Sequence, residues 1–116
     1  MDGVEVVLRT ARGLTISDPG RLIVEMLVDR LEVGKHLIVE PADGDTGPNV
    51  HYIQVMRQAE DDYQLEYRAG SPQEHYQTHL AAPADVVDAL FGWSKGDWSW
   101  RDRFEWKWIG DWFAQS

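Results

Sequence analysis

Residues 50–70 read VHYIQVMRQAEDDYQLEYRAG, and this stretch has the pattern of a β-hairpin. From Tyr63 to Tyr67 aromatic and aliphatic residues alternate with polar ones, which predicts a strand with one buried face and one solvated face. The acidic run at 60–62 separates the two halves of the stretch. We therefore predict strands at 50–58 and 62–68, joined by an acidic turn.

The sequence on both sides of this hairpin predicts a single α+β domain over residues 1–116. Two helices are expected to begin at Asp18-Pro19 and at Pro83, because proline is tolerated in a first helical turn. The order is β-β-α-β-β-β-β-α-β, and its short connections favour an antiparallel meander with both helices packed on one face. Short alternating or apolar runs predict the other strands near residues 4–8, 14–16, 37–39 and 76–80.

The first helix carries apolar residues at three- and four-residue spacing, which places them on one helical face. We expect this face to pack towards the sheet. Gly34 follows as a natural C-terminal stop. The residues of the face are Leu22, Ile23, Met26, Leu27 and Leu31.

All six tryptophans lie in residues 92–113, GWSKGDWSWRDRFEWKWIGDWF. Their spacing predicts a loop at 96–101 and a last strand at 103–109. Three aromatic side chains of that strand would share one face and bury about 450–750 Å² in the core. These are Phe104, Trp106 and Trp108.

Two further tryptophans, Trp98 and Trp100, fall in the predicted loop. Loops lie on protein surfaces, and exposed aromatic side chains there often mark a contact site. We therefore expect Trp98 and Trp100 to contribute to partner binding.

The charge of the chain would attract a basic partner, and an acidic excess of this kind also serves solubility. Eleven basic residues stand against twenty acidic ones, which gives a net charge of −9. Residues 92–116 carry four of each sign, so the whole excess lies in residues 1–91. Such a field repels nucleic-acid phosphates and anionic lipids. We expect neither nucleic acid nor membrane among the partners.

The residue types exclude several chemistries. There are no cysteines, so disulfides, zinc–thiolate sites and cysteine nucleophiles are excluded. The first residues carry no signal-peptide pattern, and no apolar run is long enough to span a membrane, so a cytoplasmic location is expected. No nucleophile, acid–base or phosphate-binding motif is present, which predicts a non-enzymatic protein without cofactors.

Two short sequence patterns resemble metal sites only weakly, and a strand and a turn explain them better. His75 and His79 lie four residues apart, but in a strand their Cα atoms would be about 13 Å apart, too far to hold one ion alone. We expect two solvent-facing or edge histidines. The sequence DGDTG at 43–47 resembles the start of a calcium loop, yet Gln54 stands where the loop needs a glutamate, so a turn is favoured.

Both ends of the chain resemble small bacterial α+β proteins of unknown function, including the immunity proteins of polymorphic toxin systems. The resemblance lies in LTISDPGRLIVEMLVDRL at 14–31 and VVDALFGWSKGDWSWRDRFEWKWI at 86–109. Asp18-Pro19, Gly96 and Trp106 occupy the positions of that pattern. Between Leu37 and Gln58, the glycine-rich strand of that group is missing. The resemblance implies a stoichiometric binder of a cognate toxin.

The sequence thus predicts a protein-binding domain, of the immunity or inhibitor type, for a basic toxin or enzyme. Two alternatives stay open: a small-ligand binder with a tryptophan-lined pocket, and a structural homodimer sealed by the last strand. The predicted contact surface combines acidic tips with loop aromatics. Its residues are Asp43, Asp45, Glu60, Asp61, Asp62, Trp98 and Trp100.

Overall fold

The computed structural model of the chain describes residues 5–42, 50–71 and 73–110. Seven strands form one antiparallel sheet in the order β2-β1-β3-β4-β5-β6-β7. This confirms the predicted α+β fold. The elements are β1 (Val6–Thr10), β2 (Thr15–Ser17), α1 (Arg21–Asp29), β3 (His36–Pro41), β4 (Val50–Ala59), β5 (Asp62–Gly70), β6 (His75–Leu80), α2 (Pro83–Lys95), a 3-10 helix (Ser99–Arg103) and β7 (Lys107–Trp108).

The predicted hairpin is the centre of the sheet and is formed by β4 and β5. Ile53 lies opposite Tyr67, and Val55 lies opposite Leu65. All four side chains are buried on the inner face of the sheet. Their polar neighbours point to the other face, as alternation along a strand requires.

The helices and the inner face of the sheet enclose one core. The longer helix, α2, packs against β3 to β6, and α1 packs against α2. Val86 and Leu90 of α2 are fully buried in the same cluster as Val24 and Val28 of α1. Neither of these helices is long and apolar enough to cross a membrane.

The predicted packing face of α1 is wrong for three of its five residues: Leu31 is buried and Leu27 packs partly buried against the core, but Leu22, Ile23 and Met26 are exposed. Val24 and Val28 are its buried side chains, whereas Leu22 is 79% exposed and Met26 is 39% exposed. The reason is tertiary: α2 occupies the inner face of the sheet, so α1 rests on α2 along a narrow stripe. The two valines, one helical turn apart, fill that stripe and leave Leu22 and Met26 outside.

The tryptophan segment also differs from its prediction. A 3-10 helix at Ser99–Arg103 replaces part of the predicted loop, and the last strand is only Lys107–Trp108. Trp100 is 1% exposed, because α2 has a glycine at position 92 where a Cβ atom would lie 2.7 Å from the indole. Trp108 is half exposed, so it is not the core residue that the strand pattern predicted.

The substitution of Leu22 tests this orientation of α1, and the substitution of Leu90, a buried leucine of α2, serves as the reference. Leu90→Ala removes a fully buried side chain and should lower the free energy of unfolding by about 2–5 kcal/mol. Leu22→Ala removes a side chain that is 79% exposed and should change it by less than about 0.5 kcal/mol. Urea denaturation at low protein concentration measures both. Equal losses in the two variants would mean that α1 packs in the orientation predicted from its sequence.

Candidate functional site

The turn between β4 and β5 carries the acidic run predicted to contact a partner. Glu60 and Asp61 are exposed, and Asp62 is partly buried. A carboxylate oxygen of Asp62 lies 2.7 Å from Nδ1 of His79. Neither Glu60 nor Asp61 forms an ion pair within the described ranges. The turn therefore presents two adjacent carboxylates with no neutralising group.

The side chain of Arg57 fixes this turn against the loop that follows α1. Its guanidinium donates to the carbonyl oxygen of Leu31 at 2.7 Å and to that of Glu60 at 2.9 Å. The backbone adds hydrogen bonds to the same loop, from the N–H of Gly34 to the Arg57 carbonyl and from the N–H of Arg57 to the Lys35 carbonyl. Arg57 thus positions the acidic turn without pairing with its carboxylates.

Exposed apolar side chains lie at the same end of the sheet as this turn. Val33, in the loop held by Arg57, and Leu14, in the turn between β1 and β2, are each 56% exposed. An ion pair of 3.2 Å between Arg12 and Glu32 joins the two segments. We call Leu14, Val33, Glu60, Asp61 and Asp62 the acidic end surface.

The predicted tryptophan contacts do not belong to this surface. Trp100 is a core residue, packed edge-on against Tyr67 at 5.5 Å between ring centroids, and cannot reach a partner in the folded domain. Trp98 is 37% exposed and also packs on Tyr67. Tyr67 lies five residues along β5 from Asp62, roughly 16 Å at the rise of a strand. Asp43 and Asp45 fall outside the described residues.

The sequence analysis missed an exposed apolar face on α1. Of the seven large hydrophobic side chains exposed in the described part of the chain, five lie between positions 14 and 33. Three of them, Leu22, Ile23 and Met26, share the solvent side of α1, and we call them the α1 face. A signal existed, because residues 22–28 hold six apolar residues among seven, more than one packing contact can cover.

An open cleft of about 330 Å³ lies between α1 and the start of α2. The residues that line this cleft can be compared with the small-ligand alternative, which predicts a pocket lined by tryptophan. This cleft contains no tryptophan. It is lined by Arg21, Glu25, Asp29, Pro83, Ala84 and Val87.

The outer face of the sheet carries a buried histidine that the sequence analysis placed at the surface or at an edge. His75 is 1% exposed, and its Nε2 lies 2.8 Å from a carboxylate oxygen of Glu66. Arg68 donates to its other ring nitrogen, Nδ1, at 3.1 Å. Nε2 therefore carries the proton and donates to Glu66. With both ring nitrogens engaged and no solvent access, His75 is a structural residue in this arrangement.

Residues 5–42, 50–71 and 73–110 contain no group of three side chains placed to hold a metal ion.

The burial of Glu66 alone would raise its pKa. Hydrogen bonds from His75, Gln64 and Gln77 outweigh that effect and hold the pKa of Glu66 below its ordinary value. The carboxylate is therefore ionised and fully engaged near neutral pH, which is unsuited to acid–base catalysis.

Comparison with protein-family models, curated proteins and solved structures found no significant match to this chain.

The lowered pKa of Glu66 makes the stability of the domain depend on pH. Because the folded pKa lies below the unfolded value of about 4.3, ionised Glu66 stabilises the fold above that pH. The contribution is lost as the pH falls through the folded pKa. Glu66→Gln should lower the free energy of unfolding by about 1–3 kcal/mol at pH 7, with a smaller difference from wild type below pH 4. Urea denaturation across this range tests it, and a difference that stays constant with pH would refute the assignment.

Proposed function

We propose that this chain is a non-enzymatic protein-binding domain of the immunity or inhibitor type, which binds a basic protein such as a toxin or an enzyme through the acidic end surface. The proposal rests on the position of two carboxylates, Glu60 and Asp61, beside the exposed side chain of Val33. Neither carboxylate forms an ion pair with the described residues, and Arg57 holds the two segments together. The charged and the apolar side chains that a protein interface combines therefore lie at one end of the sheet.

The carboxylates supply the electrostatic part of this contact. An acidic surface on a domain of net charge −9 attracts a basic partner over distance and raises the association rate. Arg57 also ties the turn, through the Glu60 carbonyl, to the segment after α1, through the Leu31 carbonyl, and a turn held in this way has less freedom to lose on binding. Inhibitors of nucleases need this kind of acidic surface, because their targets bind phosphates.

The apolar side chains supply the short-range part. Protein interfaces combine a dry apolar centre with a polar rim. Val33 and Leu14 are each 56% exposed, and covering them would remove apolar area from water. The resemblance of both chain ends to immunity proteins of toxin systems supports the same class of function. The small-ligand alternative gains no such support from the cleft described above.

Charge reversal tests the acidic end surface. Tagged wild-type protein is used to capture partners from an extract of the source cells, and each recovered basic protein is then purified and titrated by calorimetry and stopped-flow mixing. The double variant Glu60→Lys/Asp61→Lys should slow association about tenfold or more and should reduce its dependence on salt. The loss follows from replacing attraction by repulsion at the turn.

The matched control is Glu5→Lys/Glu74→Lys, which makes the same change in net charge at the opposite end of the sheet, where both residues are exposed. This control should bind with a much smaller loss. If both double variants lose affinity equally, only the overall charge matters and the acidic end surface is not the binding site. If neither loses affinity, the partner binds elsewhere.

A further inference from the structure

The α1 face is a second exposed surface, separate from the acidic turn in both position and chemistry. Leu22 is 79% exposed, and Ile23 and Met26 are 37% and 39% exposed. Leu22 and Met26 are one turn apart and Ile23 is three residues before Met26, so the three side chains are neighbours on the helix. Exposed apolar clusters of this kind mark contact sites more often than single exposed residues do.

The charge of α1 differs from that of the domain as a whole. Residues 21–30 carry two basic and two acidic side chains and sum to zero, whereas the chain has a net charge of −9. A basic partner gains no electrostatic attraction here. A second copy of the chain meets less repulsion at this face than at the acidic parts of the domain, since two acidic domains repel most strongly where their unbalanced charges approach.

The charged residues of α1 also divide into paired and unpaired groups. Arg21 pairs with Glu25 at 3.3 Å and with Asp88 of α2. Asp29 and Arg30, at the C-terminal end of the helix, form no ion pair or side-chain hydrogen bond with any residue in the described ranges. Next to the α1 face, the helix therefore ends in two adjacent, opposite charges that have no partner among the described residues.

From these observations we infer that the α1 face is the interface of a two-fold homodimer. In a two-fold contact the same patch is presented by both copies, so a patch must complement itself. The α1 face meets this condition, because apolar Leu22, Ile23 and Met26 can pack against their counterparts, while Asp29 of each copy pairs with Arg30 of the other. This interface differs from a dimer sealed by the last strand.

The dimer is weak and reversible. A helix of nine residues is about 13.5 Å long, so the contact is smaller than the roughly 800 Å² per partner of a standard interface. A dissociation constant on the order of 10–100 µM is expected for a contact of this class. The dimer contact uses side chains of α1 and the proposed partner contact uses the acidic end surface, so the inference does not depend on the proposed binding of a basic partner.

Sedimentation equilibrium of the full chain from about 1 to 500 µM tests the dimer, in the concentration range that the expected affinity sets. The wild-type mass should rise from monomer to dimer across this range. Leu22→Glu and Met26→Glu should each keep the protein monomeric. Leu14→Glu introduces the same charge at an exposed leucine outside α1 and should leave the dimer intact, at most about threefold weaker. Thermal unfolding of each variant verifies that it is folded.

A charge exchange tests the two-fold contact itself. Asp29→Arg alone and Arg30→Asp alone should each weaken dimerisation at least tenfold, because each places like charges opposite one another. An equimolar mixture of these two variants should dimerise as well as wild type, since each copy then supplies the charge that the other lacks.

A wild-type protein that remains monomeric to 500 µM overturns the inference. So does a dimer that survives both Leu22→Glu and Met26→Glu, because the contact then lies elsewhere. A mixture of the exchanged variants that dimerises no better than either alone overturns the pairing of Asp29 with Arg30 across the two-fold axis. None of these outcomes affects the test of the acidic end surface, which changes Glu60 and Asp61 and measures binding to a different partner.

Discussion

The alignment of β4 with β5 is the constraint on which the rest of the structure depends. Ile53 faces Tyr67 and Val55 faces Leu65, and each of these side chains is at most 2% exposed. A slip of one residue would turn all four into solvent and carry polar neighbours such as Glu66 into the core. The alignment also determines what lies beyond the hairpin, since Tyr67 is the ring against which the tryptophans pack.

The second controlling interaction is the use of Arg57 as a donor to carbonyl groups. Two guanidinium nitrogens of Arg57 donate to the oxygens of Leu31 and Glu60, while its buried Nε has no hydrogen-bond partner among the described residues. A more common solution would pair the guanidinium with a carboxylate and cancel both charges. Because Arg57 does not do so, it holds the acidic turn in place without forming an ion pair with the carboxylates of that turn.

The two exposed surfaces of the domain separate two kinds of contact by charge. The acidic end surface combines carboxylates with Val33 and Leu14, whereas the α1 face is apolar and electrically neutral. Two copies repel each other less at the neutral face than at the charged one, which would attract a basic protein. The proposed self-association and the proposed partner binding therefore use different side chains of the domain. The outer face of the sheet contributes a third element, the pair of Glu66 and His75, which is engaged in structure.

Local patterns in the sequence determined the hairpin, the start of α2 at Pro83 and the α+β class, because alternation and helical spacing depend only on neighbouring residues. The first helix begins at Arg21, with Gly20 as its N-cap, and not at the predicted Asp18-Pro19. They also located the acidic turn at 60–62, since a turn between two alternating strands must be exposed. The burial of Trp100 could not be predicted, because it depends on the glycine at position 92 of a different helix.

The orientation of α1 likewise depended on the tertiary structure. Six apolar residues among seven leave several possible packing faces, and only the contact of α1 with α2 selected Val24 and Val28. The sequence by itself therefore determined the first six strands, the presence of two α-helices and where the negative charge lies, but not the structure of the tryptophan segment. The tertiary structure decided which apolar side chains remain in solvent, because that depends on how elements distant in sequence cover one another.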